Sequence, residues 1–248
     1  MRVISEYLQI NSNMTINILQ KGSIHLEGQF IIGSNYTFLT SVKYKKSTYK
    51  AIYKPQKGEI PLWDFPPETL ANRETAAFLI SEALSWGFVP PTIIRPDAPL
   101  GPGSLQWFIP HDPEVNYFTF SRELKEKLRS VVVFDIIINN ADRKGSHIII
   151  DNHGKIWLID HGICFHHESK LRTVIWDFIS ESIPDEIIHD LHSLKGKLAP
   201  NSPLLSNLEK LLSLQELTAL NRRIEQIIIY PYFPAPDETY RPFPFPLV

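Results

Sequence analysis

The sequence has little of what builds several common classes of protein. Its 248 residues include one cysteine, Cys164, so disulfides cannot hold the fold and a reducing compartment fits best. No apolar run approaches the ~20 residues that a membrane-spanning helix needs, and residues 1–10 lack the apolar core of a signal peptide. The net charge of -2 gives no global basic field for nucleic acid or an anionic membrane. We therefore expect a cytoplasmic protein with no transmembrane segment and no nucleic-acid partner.

Apolar residues and prolines are plentiful. Hydrophobic residues make up 43% of the chain and aromatic residues 11%, enough for a sizeable core in one unit or in two lobes that share a cleft. Many of the 20 prolines fall in three clusters that divide the chain, Pro61–Pro67, Pro90–Pro113 and Pro231–Pro246. The last cluster predicts an extended tail that packs on the body of the protein, with docking to a proline-recognising partner as the alternative.

The most informative stretch runs from Asn139 to Gly162. It follows an apolar segment and carries Asp142 in a polar loop, then two short apolar runs, the second ending at Asp160. The runs predict strands at 147–150 and 155–159 around the turn 151–154. Because a hairpin brings its ends together, both carboxylates should face one cleft. Such a pair suits metal-assisted phosphoryl transfer, in which one acid orients the attacking oxygen and the other holds the metal.

Two charged residues earlier in the chain are candidates for the same chemistry. Lys54 lies at the end of a predicted strand, just before Pro55, where it could reach into a cleft. Glu74 lies in a predicted helix and could pair with a strand lysine. The alternative for both is an ordinary solvated side chain.

Alternating and helical patterns predict the remaining elements. They are strands at 24–32, 36–44, 49–54, 89–94 and 104–109, a helix from Leu70 that Gly87 stops, a helix capped by Ser121, and helices at 185–194 and 204–228.

Six short motifs follow one another along the chain. They are G-S-N-Y-T-F-L (33–39), Y-K-P (53–55), R-E-T-A-A-F-L (73–79), V-P-P-T (89–92), A-D-R-K (141–144) and I-D-H-G (159–162). From about Gly28 to Trp176 the chain resembles the phosphatidylinositol 3-/4-kinase-like superfamily, with type II phosphatidylinositol 4-kinases and an uncharacterised bacterial kinase-like branch nearest. The resemblance implies an α+β, two-lobed protein-kinase-like fold. Its N-lobe, residues 1–109, would hold an antiparallel sheet with one helix, and its mostly helical C-lobe, residues 110–248, the catalytic hairpin.

The resemblance also implies ATP and Mg²⁺ as cofactors, with Mn²⁺ possible, and a role for each matching residue. Asp142 matches the catalytic aspartate and Asp160 the metal-binding aspartate, here in D-H-G. Lys54 matches the lysine on the phosphates, and Glu74 matches its helix partner. The nucleotide contacts would come from Ser34, Asn35 and Tyr36 over the phosphates and from Gln106, Trp107 and Phe108 around adenine.

The sequence departs from this family at His147. The family usually has a metal-binding Asn five residues after the catalytic Asp, and His147 stands there instead. Imidazole is softer than the oxygen ligands that Mg²⁺ prefers, so the second metal site and the choice of Mg²⁺ over Mn²⁺ are in question.

The segment after Gly162 bears on the acceptor. Lipid kinases of this group use a basic loop there, and this chain offers only His166, His167, Lys170 and Arg172. Charge therefore does not support a lipid acceptor, and a protein or small metabolite fits at least as well.

Four functions remain open from sequence. The leading hypothesis is an ATP-dependent kinase that acts on an unknown hydroxyl acceptor. The second is a nucleotide-binding pseudokinase or scaffold. A metal-dependent hydrolase using Asp160, His161, His166 and His167 is a weaker alternative, because no H-E-x-x-H spacing occurs. A fold with no site at all is the fourth.

Overall fold

The computed structural model describes residues 12–30, 36–237 and 239–248. The chain divides into two compact units, one made of residues up to Ile60 together with Pro91–Phe108, the other of Pro61–Pro90 and Ile109–Val248. Residues 61–90, which the sequence analysis assigned to the N-lobe, therefore belong to the second unit by their contacts. The boundary predicted at residue 109 stays a prediction.

The first unit is an antiparallel sheet with one helix. Helix α1 (Ser12–Lys21) precedes the strands β1 (Ser23–Gln29), β2 (Phe38–Tyr44), β3 (Ser47–Pro55), β4 (Thr92–Arg95) and β5 (Gly103–Trp107), in the order β1-β2-β3-β5-β4. Alternation in β3 places Ala51 and Tyr53 in the core, where they meet Ile18 and Leu19 of α1. Strand β4 begins later than the sequence predicted, because Pro90 and Pro91 have no N–H for a sheet.

The second unit is mostly helical. It contains α2 (Leu70–Ala83), α3 (Arg122–Glu126), α4 (Arg129–Ile138), a hairpin of β6 (Ile148–Ile150) and β7 (Ile156–Leu158), α5 (Asp185–Lys197), α6 (Pro203–Leu208) and α7 (Leu214–Ile229). Ser121 caps α3 as predicted, accepting from the Leu124 amide at 3.3 Å. No helix in the part of the chain that the structure describes is long and apolar enough to cross a membrane.

The helix predicted over residues 204–228 is wrong as one element, because the structure has two helices there. Ser213 accepts a hydrogen bond from the Glu216 amide, and the Glu216 carboxylate accepts from the Ser213 amide at 2.8 Å. This reciprocal cap starts a new helix instead of continuing the old one. The S-x-x-E spacing was visible in the sequence and would have placed the break.

Gly103 is required by close contact between β5 and β3. A Cβ at this position would lie 2.3 Å from the Lys54 carbonyl oxygen and 2.8 Å from the Pro55 Cα, both backbone atoms. We expect Gly103→Ala to lower the free energy of unfolding by about 1–3 kcal/mol, because backbone cannot move aside as a flexible side chain can. Urea unfolding would measure the change.

Gly196→Ala is the matched control. Gly196 lies in α5, and a Cβ there meets nothing within 4 Å. Alanine should stabilise the protein by up to about 1 kcal/mol. Equal effects of the two substitutions would contradict the close approach of β3 and β5.

Candidate functional site

The loop that carries Asp142 begins where α4 ends. Asn139 stops the helix in the left-handed conformation, with φ 53° and ψ 56°. Its side-chain amide donates to the carbonyls of His166 and Glu168, and its side-chain oxygen accepts from the Lys170 amide. The end of α4 is thereby fixed to the segment that follows the D-H-G motif.

Asp142 itself is largely enclosed. Its amide donates to the side-chain oxygen of Asn140 at 3.0 Å, and its carboxylate lies 3.2 Å from the Lys144 ammonium. Burial raises the pKa of the Asp142 carboxyl to about 6, an effect that Lys144 opposes and the charge of Asp160 reinforces. The two carboxylates therefore lie close enough to interact electrostatically, as the predicted hairpin required.

The hairpin places Asp160 two residues after the end of β7. Ile148 pairs with Leu158, and the Ile159 amide donates to the His147 carbonyl at 3.1 Å, closing the open end of the hairpin. Asp160 follows directly with φ 62°, a left-handed conformation uncommon outside glycine. Its side chain is 46% exposed, against 21% for Asp142. Asp160 is thus the more accessible acid.

Arg143 binds the loop and the hairpin that carry Asp142 and Asp160, and the sequence analysis did not identify it. Its fully buried guanidinium donates to both Asp135 carboxylate oxygens at 2.9 Å, to the carbonyls of His147 (3.2 Å) and Ile159 (3.0 Å), and to the His161 ring at 2.8 Å. These five bonds match the five N–H donors of arginine. One side chain thus restrains residues on both sides of Asp160.

The same contact sets the tautomer of His161. A guanidinium only donates, so the Nε2 atom of His161 accepts and the neutral ring carries its proton on Nδ1. That nitrogen lies 4.0 Å from the Glu74 carboxylate, which also accepts from the His161 amide at 3.0 Å. Glu74 of α2 therefore holds the D-H-G backbone, and its predicted pairing with Lys54 stays a prediction.

Arg73, beside Glu74, anchors α2 a second time. It donates to the Cys164 carbonyl at 2.8 Å and forms an ion pair of 2.5 Å with Glu216 of α7. Phe65 lies against the guanidinium at 4.8 Å. Consecutive residues of one helix thus bind the D-H-G segment and the helix α7 in the second unit.

His147 also faces Asp160. Its Nδ1 lies 2.9 Å from the Asp142 carbonyl oxygen, which can only accept, so Nδ1 carries a proton. Its Nε2 lies 3.3 Å from the Asp160 carboxylate. A proton or a cation between these two atoms would relieve the repulsion of two lone pairs.

This donor set fits a divalent ion bound with help from a phosphate. Among residues 12–30, 36–237 and 239–248, no three His, Cys, Asp or Glu side chains gather into a metal-binding group. Mg²⁺ commonly uses only one or two carboxylates and completes its shell with water and substrate phosphates. The carboxylate of Asp160 matches that reduced set, and the imidazole of His147 beside it is a softer ligand than Mg²⁺ prefers.

The histidines that suggested a hydrolase point apart. The His161 ring is buried on Arg143, whereas His166 bonds the Asp64 carbonyl at 3.0 Å and stacks on His167. Burial lowers the pKa of His166, and Lys170 lowers it further. This geometry opposes a shared zinc site.

Lys170, one of the basic residues after D-H-G, is already paired with acids. Its ammonium lies 2.9 Å from Asp64 and 3.8 Å from Glu168, and 5.2 Å from the centre of the Trp63 ring. At this residue the loop therefore offers less positive charge than its sequence implies.

In the first unit, Lys54 is half-buried in β3, opposite Ser104 of β5. It lies on the same face as Lys50 and Ile52, away from the core side of the strand. Lys50 pairs instead with Glu27.

The predicted adenine segment lies largely within the sheet. Gln106 is buried, and its side-chain amide donates to the Thr92 hydroxyl at 2.8 Å. The Trp107 amide donates to the Pro91 carbonyl, and the Phe108 amide to the Lys50 carbonyl. Any adenine contact by Trp107 or Phe108 would therefore use their carbonyls or rings.

Of the predicted phosphate loop, Ser34 and Asn35 lie outside the described residues. Tyr36 is more than half exposed, and its amide donates to the Gly58 carbonyl at 3.2 Å. Its role stays a prediction.

Comparisons with known proteins show the family to which the chain belongs. The sequence pattern of the family described as "Phosphatidylinositol 3- and 4-kinase" matches residues 65–214. The chain belongs to this family. Protein Rv2133c of Mycobacterium tuberculosis is a similar protein, 36% identical over 264 aligned residues that cover 92% of this chain and 94% of that protein. The resemblance to the phosphatidylinositol 3-/4-kinase-like superfamily is confirmed.

Two solved structures are similar in fold to this family member. Hydra Fam20, solved with a sugar, has a TM-score of 0.56 at 14% identity, covering 89% of this chain and 88% of its own. The Helicobacter pylori proinflammatory kinase CtkA has a TM-score of 0.53 at 12% identity, covering 87% and 94%. The predicted α+β kinase-like fold is confirmed. Family membership supports a kinase-type phosphotransferase, a class that in general uses ATP and a divalent ion.

The buried pair of Arg143 and Asp135 yields a stability test. Arg143→Met should lower the free energy of unfolding by about 3–5 kcal/mol, because it leaves the Asp135 carboxylate buried without its cation. Adding Asp135→Leu should recover part of that loss. Thermal and urea unfolding of the single and double variants would measure both effects.

Arg129→Met is the control, because Arg129 forms partly exposed ion pairs with Glu126 and Glu181. Such pairs contribute about 0–1 kcal/mol. A loss at Arg143 no larger than that at Arg129 would show that Arg143 does not hold the loop.

Proposed function

We propose that this protein is an ATP-dependent kinase that transfers the γ-phosphoryl group of ATP to a hydroxyl acceptor. The supporting observation is the pair of carboxylates at the foot of one hairpin, with Asp142 enclosed and Asp160 accessible. Electrostatic coupling between the two acids supports their action on one reacting group.

Asp142 is the group that orients the acceptor. In the proposed reaction the acceptor O–H donates its proton to the Asp142 carboxylate, its oxygen bonds to the γ-phosphorus, and ADP leaves with the electron pair of the broken P–O bond. A raised pKa makes Asp142 a better proton acceptor than an ordinary exposed carboxylate.

The other proposed residues would bind the metal and the nucleotide or fix the segment around Asp160. Asp160, with His147 beside it, would hold a divalent ion, which supplies charge neutralisation for the phosphates when bound. Lys54 would neutralise phosphate charge, and Glu74 fixes the amide of His161 next to Asp160. Gln106 to Phe108 would receive adenine, and the segment around Tyr36 would cover the phosphates.

The acceptor class follows from charge. Because Lys170 is paired with Asp64 and Glu168, the segment after D-H-G is poorly suited to an anionic lipid head group. A protein or small metabolite hydroxyl therefore fits at least as well.

A nucleotide-binding pseudokinase is the second candidate, and His147 favours it. This residue takes the place of the Asn that usually binds metal, and an imidazole is a softer ligand than Mg²⁺ prefers. Such a protein would gain thermal stability with ATP yet transfer no phosphate.

Asp142→Asn and Asp160→Ala should separate the two acids by function. We expect Asp142→Asn to lower kcat by about 10²–10⁴-fold with nucleotide affinity nearly unchanged, because it removes the proton acceptor alone. Asp160→Ala should abolish the metal-dependent part of nucleotide binding as well. Transfer from γ-labelled ATP into the protein, lipid and metabolite fractions of a cell extract, with calorimetry of nucleotide binding, measures both.

Asp185→Asn is the control, an exposed acid in the first turn of α5 that should change neither quantity. Wild-type transfer that survives Asp142→Asn would contradict its role. Nucleotide binding by the wild type without any transfer would favour the pseudokinase.

A further inference from the structure

The last residues of the chain lie against the loop that carries Asp142. We call residues 239–248 the strap. The Gly145 amide, three residues after Asp142, donates to the Leu247 carbonyl of the strap at 2.8 Å. Gly145 is tightly enclosed, since a Cβ there would lie 2.9 Å from the Phe118 ring and 3.5 Å from the same carbonyl. The loop thus has a defined partner on this side.

The strap also bonds the segment that follows D-H-G. The Thr173 amide donates to the Pro242 carbonyl at 3.1 Å. Thr173 forms a parallel bridge with Arg143, closed by hydrogen bonds from the Arg143 amide to Arg172 and from the Val174 amide to Arg143. The strap therefore contacts both segments that this bridge joins.

These contacts are made by backbone and not by the aromatic side chains of the strap. Phe243 is 42% and Phe245 78% exposed, whereas Phe233 at the start of the predicted tail is buried. Pro242, Pro244 and Pro246 have no N–H that would need a partner, and their fixed φ lowers the entropic cost of order. The alternation of proline and phenylalanine thus suits a strap that presents carbonyls.

Arg241 braces the strap internally. Its guanidinium donates to the Pro244 carbonyl at 3.2 Å and lies 4.9 Å from the centre of the Phe245 ring. A side-chain hydroxyl contact, Tyr240 with Ser169 at 3.5 Å, adds a link to the exposed part of the segment after D-H-G. The strap can therefore be perturbed without altering any proposed catalytic residue.

We propose that the strap is a positioning element for phosphoryl transfer: by accepting from Gly145 and Thr173, it fixes the Asp142 loop against the segment after D-H-G. The proposal rests on the proposed kinase function. Misplacement of a reacting group by about 1 Å can cost ~10²-fold in rate, so a restraint three residues from Asp142 acts on kcat. Because the strap carbonyls accept from Gly145 and Thr173, which we propose for no nucleotide contact, we expect kcat to change more than KM for ATP.

The test deletes residues 239–248. We expect kcat to fall at least about tenfold with KM for ATP nearly unchanged, and a synthetic peptide of residues 239–248 to restore the rate when added in trans. Hydrogen exchange of the Gly145 and Thr173 amides should accelerate on deletion and slow again with the peptide. Exchange reports the restraint whether or not the chain transfers phosphate.

Arg241→Ala is the gentler variant, in case the deletion unfolds the chain. It should give a smaller fall in kcat and faster exchange at the same two amides. Val248→Ala, which removes an exposed side chain and keeps every strap carbonyl, should change neither.

The outcomes separate the strap from the kinase function. A rise in kcat on deletion would show that the strap blocks the acceptor, and unchanged exchange would show that it restrains nothing; either overturns the proposal. If the wild type transfers no phosphate, the proposed function and the kinetic role of the strap both fall, while exchange still decides whether the strap restrains the loop.

Discussion

The buried ion pair between Arg143 and Asp135 is the constraint on which the rest of the second unit depends. Taking two charges out of water is costly, and only good geometry with satisfied hydrogen bonds offsets that cost. Here every guanidinium donor has an acceptor, and Asn140 adds a bond of 2.9 Å to the same carboxylate. The pair is therefore less a source of stability than a device that selects one loop conformation. That conformation is the one in which His147 contacts both Asp142 and Asp160.

Helix α2 is also held in place by buried charged residues. From sequence, Arg73 and Glu74 could be two solvated charges, or Glu74 could be the helix glutamate that pairs with the phosphate lysine in kinases. In the structure both are buried and contact other segments of the second unit, Glu74 the His161 amide and Arg73 both Glu216 and the Cys164 carbonyl. The helix is thus fixed to the D-H-G segment by the residues that the motif supplies, which ties the position of Asp160 to the packing of α7.

Sequence predicted local elements well wherever period and turn chemistry agreed. The hairpin followed from two apolar runs around Asp151 to Gly154. Arg143 was missed because an arginine in a polar loop looks solvated. The clue was Asp135, a lone acid inside an apolar helix, which burial obliges to find a cation. The strap was anticipated as an extended tail, but backbone carbonyls leave no side-chain pattern, so its attachment to Gly145 and Thr173 had no signal.

The most direct test of the proposed function, in which this family member would bind ATP with Lys54 at the phosphates, is labelling with an acyl-phosphate derivative of ATP. A lysine amine beside the phosphates attacks the acyl carbon and releases ATP, and mass spectrometry identifies the acylated residue. Lys54 should be labelled and protected by excess ATP, whereas Lys50, on the same face of β3 but paired with Glu27, should show no such protection. ATP-protected labelling at another lysine with none at Lys54, or no protected lysine at all, would contradict the account.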